Sequence, residues 1–337
     1  MKRIIVLALA FTLAFAFMAP VSMNFESSSA GDEAYTAYAA DSTTWDSKNW
    51  VRIQSEYGDW LQIGKYYYYY RTAEDQSTFR IYRENVNTGS KKLLQKVTSY
   101  QSPEFYTNGE KLIFCYDKYD GTVMKVKDLS TAKTKTLVDL TKFETSKSTD
   151  SSLYINVYGN YLYYSKYRGL STMIYKVYKV NVKTGKQYTV SSKYLMIQPE
   201  DPASPMGRYF IVADSAKNYK IYDTKEKDYK KFTGKYLKSY NRIGNYFYYV
   251  TSTKSGSTRS YKVLRKKESG GTYKTIASFK KNYSPDDIIR LTDKGLFFLR
   301  TTTENGYTME YRYAKKKFIR HNDMDVWYYI NDNMRFM

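Results

Sequence analysis

The chain has 337 residues, 54 Lys and Arg against 33 Asp and Glu, a formal charge of +21, and aromatic side chains at 18% of its positions. Aromatic content this high excludes a disordered chain, and a single cysteine, Cys115, excludes internal disulfides, so packing and strand pairing must hold the fold. The positive surplus favours acidic partners.

The chain opens with Lys2 and Arg3, followed by an uncharged, mostly apolar run over 4–19 and small residues at Ala37, Ala39 and Ala40. This reads as a secretory signal peptide over 1–39, with a second candidate cut after Ala16. The run of 16 residues is shorter than the roughly 20 that cross a bilayer, so export and cleavage are expected and no transmembrane segment in the mature chain. Residues 40–49 read as a linker and 50–337 as a single domain, secreted and extracellular or cell-wall associated. Because 1–39 holds two basic and three acidic residues, the mature charge rises to +22.

From residue 50 onward a unit recurs. WVRIQS at 50–55 reads as a strand, and then a turn followed by an aromatic strand returns as GKYYYYY, GEKLIFC, GNYLYYS, GRYFIVA, GNYFYYV, DKGLFFL and MDVWYYI. The turns begin at Gly64, Gly109, Gly159, Gly207, Gly244, Asp293 and Met324, at spacings of 45, 50, 48, 37, 49 and 31 residues. A period of that size points to propeller blades. In the third unit the pattern gives strands over 153–157, 161–165, 174–182 and 187–190, a four-stranded meander, with no stretch of helical period. Along its second strand Tyr161 and Tyr163 share one face, and Leu162 and Tyr164 share the other. Both faces are bulky, as in a sheet packed between two neighbours. The expected fold is therefore an all-β propeller of four-stranded blades, seven preferred and six the alternative. The N-terminal strand and the incomplete last unit would then form one composite blade that closes the ring, with several of Trp45, Trp50, Trp60 and Trp327 meeting there.

The strands GNYLYYS and GNYFYYV, and the run IYKVYKVNVKTGK after the first, resemble the TolB-like and lipoprotein-receptor-related-like propellers of exported Gram-positive proteins. The resemblance covers about 58–337 and implies the fold alone. A turn reading SPDG in the TolB pattern is echoed here only by Ser204-Pro205-Met206-Gly207 and Ser102-Pro103. A choline-binding-like module, whose units are about half this length and rich in Trp, fits less well.

Few residues offer chemistry. His321 is the one histidine, so neither a histidine-built metal site nor a zinc set with Cys115 can be assembled, and no GxSxG turn presents a serine. Cys115, within LIFCY, reads as a buried small apolar residue. Loop carboxylates at Glu74 and Asp75, Asp117 and Asp120, Glu200 and Asp201, and Asp286 and Asp287 could serve a glycosidase, but read more simply as solvated loop residues or turn caps. The run from Asp117 to Gly121 misses a calcium-loop pattern. No catalytic residue, cofactor or metal is expected, nor specific nucleic-acid recognition, since no base-reading module accompanies the charge. Tyr66 to Tyr70 read as core rather than as a stacking platform.

The lysines are distributed more tellingly. Six windows at the third turn of each unit hold 17 basic residues in 37 positions, against three acids, where an even spread of the mature chain's 52 would place about six or seven. The candidate rim comprises Lys91 and Lys92, Lys133 and Lys135, Lys183 and Lys186, Lys230 and Lys231, Lys266 and Lys267, and Lys315, Lys316 and Lys317. The expectation is a non-catalytic binding or scaffolding protein for an anionic wall polymer, a polysaccharide or an extracellular protein. A carbohydrate-active enzyme and an envelope sensor subunit are the alternatives.

Overall fold

The computed structural model describes residues 50–53, 55, 61–100, 103–118, 121–141, 150–168, 172–197, 199, 206–256, 258–281, 287–301 and 306–321. The leader, the linker, Trp45, Trp60 and the unit beginning at Met324 lie outside them. Within them the chain is all strand and turn, and no helix is long and apolar enough to cross a membrane.

After a two-residue strand β1 (Val51–Arg52), the chain lays down six antiparallel sheets in order. Sheet I contains β2 (Leu61–Ile63), β3 (Tyr66–Thr72), β4 (Thr78–Asn85) and β5 (Lys91–Thr98). Sheet II contains β6 (Glu104–Thr107), β7 (Lys111–Lys118), β8 (Gly121–Asp128) and β9 (Thr134–Asp139). Sheet III is β10 (Asp150–Tyr158), β11 (Tyr161–Arg168), β12 (Thr172–Asn181) and β13 (Gln187–Ser191). Sheet IV is β14 (Leu195–Met196), β15 (Tyr209–Ala213), β16 (Tyr219–Asp223) and β17 (Asp228–Thr233). Sheet V follows with β18 (Leu237–Ile243), β19 (Tyr246–Ser255), β20 (Thr258–Lys267) and β21 (Tyr273–Lys281), and sheet VI with β22 (Asp287–Leu291), β23 (Gly295–Thr301), β24 (Gly306–Arg312) and β25 (Lys317–His321).

Strand alternation turns these sheets into a stack. In β7, Leu112 and Phe114 pack on sheet I, whereas Ile113 and Cys115 pack on sheet III. In β11, Leu162 and Tyr164 face sheet II while Tyr163 faces sheet IV, as the spacing predicts. In β15, Phe210 and Val212 face sheet III, and Tyr209, Ile211 and Ala213 face sheet V. In β19, Phe247 and Tyr249 face sheet IV, and Tyr248 and Val250 face sheet VI. These four second strands are thus apolar on both sides because each lies between two sheets. Fourth strands are the edges: the first residues of β5, β9 and β13 are exposed and polar or lysine-rich. Five cores join six sheets in sequence, which is how propeller blades pack.

One hydrogen bond repeats in every sheet. The residue after the third strand donates its N–H to a carbonyl of the first turn: Val86 to Lys65, Leu129 to Glu110, Val182 to Asn160, Thr224 to Arg208, Glu268 to Asn245, and Tyr313 to Lys294, at 2.9–3.1 Å. First and third turns therefore stand together at the same end of each sheet.

The N-terminal strand does not stand where the sequence predicts. Val51 and Arg52 pair antiparallel with Thr107 and Tyr106, adding a fifth strand to the first-strand edge of sheet II. Ile53 extends the ladder with its N–H on the Phe105 carbonyl, and Ser55 bridges to Tyr70 of sheet I. Trp50 is 1% exposed in the core between sheets II and III and donates its indole N–H to the Gly159 carbonyl at 3.1 Å. Arg52 follows, 3.2 Å from Glu104. An apolar anchor, an open first-strand edge and the half-buried Glu104 carboxylate all favour this place.

Candidate binding face

The third turns share a local plan. In sheets I to IV the third strand ends on Asn85, Asp128, Asn181 or Asp223, whose side-chain oxygen accepts the N–H groups two and three residues on, at 2.9–3.2 Å. Four residues after that cap comes a left-handed residue: Gly89, Ala132, Gly185 and Lys227, with φ of 64, 59, 76 and 57°. Lys316, at φ 49°, takes this place in sheet VI. The backbone is satisfied within the turn, so the intervening side chains project into water.

The two aspartate caps, Asp128 and Asp223, have lowered pKa values. The Ser130 hydroxyl, and after it the Thr131 N–H, hold Asp128 well below the usual carboxylate range. Burial opposes ionisation of Asp223, but the Arg208 guanidinium and the N–H groups of Glu226 and Lys225 outweigh it and keep its pKa low. In the second turns, Thr78 lowers Asp75 and Asn218 lowers Asp214. Folded values below unfolded ones mean stability that is present above about pH 4 and is lost as pH falls through the folded values. The urea midpoint is expected to stay level from about pH 7 to 5 and to fall below about pH 4. Asp128→Asn, which keeps the cap without titrating, should lessen the fall. A midpoint that ignores pH across this range would contradict the assignment.

The rim lysines divide by environment. Lys91, Lys92, Lys133, Lys183, Lys186, Lys231, Lys267, Lys315, Lys316 and Lys317 are exposed. Lys135, also exposed, donates to the Lys183 and Thr184 carbonyls of the next sheet, and the half-buried Lys230 donates to the Ser269 carbonyl at 2.9 Å. Lys266 lies elsewhere than the sequence expects. It is 7% exposed and donates to the carbonyls of Lys231 and Phe232, and burial, then the charge of Lys231, lowers its pKa. It is a strap between sheets IV and V and no part of an open rim.

Among the described loop carboxylates, Asp75 and Asp117 are engaged within their own hairpins. Asp75 caps its own turn through Ser77 and Thr78. Asp117 accepts the Thr122 hydroxyl at 2.5 Å across its own hairpin. Asp120, Glu200, Asp201 and Asp286 lie outside the described residues, as do the side-chain surroundings of Asp287 and His321. Among the described residues no group of three or more His, Cys, Asp or Glu is placed to hold a metal. Cys115 is buried, and desolvation, with the nearby charges of Glu104 and Asp117, pushes its thiol pKa well up, so it is a packed, protonated group.

A feature absent from the sequence reading is a set of cation–ring pairs beside the first turns. Arg83 lies 4.2 Å from the Tyr66 ring centroid, Lys179 4.8 Å from that of Tyr161, and Arg265 4.5 Å from that of Tyr246. Other arginines are committed to carboxylates. Arg208 makes a two-pronged contact with Asp223 at 2.8 and 2.7 Å, Arg242 meets Glu268 at 2.6 Å, and Arg312 meets Glu310 at 2.8 Å.

No protein-family model and no curated protein matches the sequence. Among solved structures, the chain is similar to TolB from Acinetobacter baumannii, at 11% identity and TM-score 0.38, over 82% of this chain and 64% of that one. It is also similar to the β-propeller domain of the trilobed protease from Pyrococcus furiosus, at 12% identity and TM-score 0.44, over 77% and 78%. An oligogalacturonate lyase from Vibrio parahaemolyticus aligns at 12% identity and TM-score 0.47, over 82% and 79%. The chain's own sheet order and packing are those of propeller blades, and its structural neighbours are TolB-like and other β-propeller proteins.

Proposed function

We propose that the protein is an exported, non-catalytic propeller that binds or scaffolds at the cell envelope, with an anionic wall polymer, a polysaccharide or an extracellular protein as its partner. In this reading the leader 1–39 is removed, and the unit from Met324 joins the six described blades as a seventh. The observation that carries the proposal is the repeated third turn. Six such turns stand at the first-turn end of their sheets, and eleven of the thirteen rim lysines there are exposed. Loops on a rigid stack present this charge, and long-range attraction draws in a polyanion.

Salt sensitivity tests the reading. Replacing Lys91, Lys92, Lys133, Lys315, Lys316 and Lys317 by Gln removes six charges that make no core contact. At an anionic surface each is worth on the order of 1 kcal/mol, so association with an immobilised polyanion should weaken roughly a hundredfold or more. The variant is expected to elute at lower ionic strength with an unchanged thermal midpoint. Retention that ignores salt, or equal elution of the two proteins, would refute the proposal.

A further inference from the structure

Sheets I, III and V share a device that sheets II, IV and VI do not. Across the first turn each reads Gly-(Lys or Asn)-Tyr-x-Tyr, beginning at Gly64, Gly159 and Gly244. Opposite the second tyrosine, on the third strand, stands a cation: Arg83 across from Tyr68, Lys179 across from Tyr163, and Arg265 across from Tyr248. From there it reaches diagonally over the ring of the first tyrosine, giving the three pairs described above. The equivalent turns at Gly109, Gly207 and Asp293 lack the motif. In sheet II Lys125, opposite Phe114, lies over the Tyr116 ring at 5.8 Å but away from the first turn, and in sheet IV Arg208 over Tyr209 involves adjacent residues and an arginine already held by Asp223.

Two further observations give the alternation meaning. First, ring and cation are half-buried at all three places, and among the described residues none of Arg83, Lys179 and Arg265 is ion-paired with a carboxylate. Their partners among the described residues are neutral: Arg265 donates to the Tyr248 hydroxyl at 3.4 Å, and all three lie against aromatic surface. Secondly, Tyr66, Tyr161 and Tyr246 lie at the margins of the cores between sheets I and II, III and IV, and V and VI. The other two described junctions are closed by lysine straps, Lys135 between II and III, and Lys230 with Lys266 between IV and V. Junction I/II carries the same kind of strap as IV/V, from Lys127 on the third strand of sheet II to the Leu94 carbonyl on the fourth strand of sheet I at 2.6 Å, so the straps do not follow the alternation and the tyrosine–cation pairs alone carry it.

We infer that these three junction mouths are equivalent subsites for successive units of one anionic, hydroxyl-rich chain, a polyol phosphate or an acidic glycan. The cation takes the phosphate or carboxylate, and the tyrosine edge and hydroxyl take the CH and OH groups of the polyol or sugar. The inference rests on the proposed polyanion-binding function and divides its labour. The third-turn lysines attract at long range, whereas the tyrosine–cation mouths hold repeating units in register. Each subsite alone is weak, and a chain long enough to reach several gains by effective concentration.

The test uses the exported chain, its Arg83→Gln, Lys179→Gln and Arg265→Gln variants, and the triple variant. The probes are short and long glycerol-phosphate chains and short and long galacturonate chains, followed by calorimetry. Expected are three equivalents of one short oligomer per protein, the loss of one equivalent with each substitution, and a roughly tenfold loss of long-chain affinity per site removed. The oligomer that gives three equivalents identifies the anion as phosphate or carboxylate. Arg83→Lys and Arg265→Lys, which install the residue sheet III already uses, should keep all three equivalents and so separate lost charge from lost folding. One equivalent or none with both short oligomers, or parental binding by the triple variant, overturns the inference even if salt-dependent retention on long polyanions persists. Three equivalents without that retention would instead refute the long-range role of the third-turn lysines.

Discussion

Trp50→Ala is expected to lower the thermal midpoint by roughly 10 °C, measured by circular dichroism or calorimetry on the otherwise unaltered chain. The indole is 1% exposed between two sheets, so its removal costs about 3–5 kcal/mol in lost burial and cavity. The orphaned Gly159 carbonyl adds about 1 kcal/mol. Trp50→Phe separates the terms, because the ring volume is mostly kept while the N–H donor is lost, and should cost about a third as much. A midpoint unmoved by Trp50→Ala would mean that β1 does not lie along sheet II.

Asp223→Ala should cost about 3–5 kcal/mol, because it leaves Arg208 without its buried partner and strips the third turn of sheet IV of its cap. The Asp223 side chain is 1% exposed and that of Arg208 28%, so the carboxylate is the buried member. Asp223→Asn keeps the cap, as Asn85 and Asn181 do at the matching places of sheets I and III, and should recover about half of the loss. Equal urea midpoints for Ala and Asn would show that the cap contributes nothing and that the ion pair accounts for the whole effect.

Much of the fold was legible because a propeller blade is a local object. The turn at Gly159, the alternation of Tyr161 to Tyr164 and the KTGK turn all lie within one unit, and the structure reproduces them with strands a few residues longer. The place of 50–55 was not legible, since its partners at 105–107 and 159 lie outside any local pattern. Nor was the burial of Lys266, which depends on carbonyls of the neighbouring sheet. Left-handed Ala132, Lys227 and Lys316 also escape notice, because only glycine announces that conformation in a sequence. The tyrosine–cation pairs were half visible. GKYYYYY, GNYLYYS and GNYFYYV stand in alternate units, but the opposing cation comes from another strand, and only register brings it across.

The indole of Trp50 and its acceptor are separated by 109 positions along the chain. A polypeptide emerging from its amino end must therefore keep this residue bare until the second sheet has been made and the third begun. Each four-stranded sheet can form from neighbours in sequence, but β1 waits for the first-strand edge of sheet II. Assembly is thus ordered in time, with Trp50 and β1 secured only once the third sheet has begun.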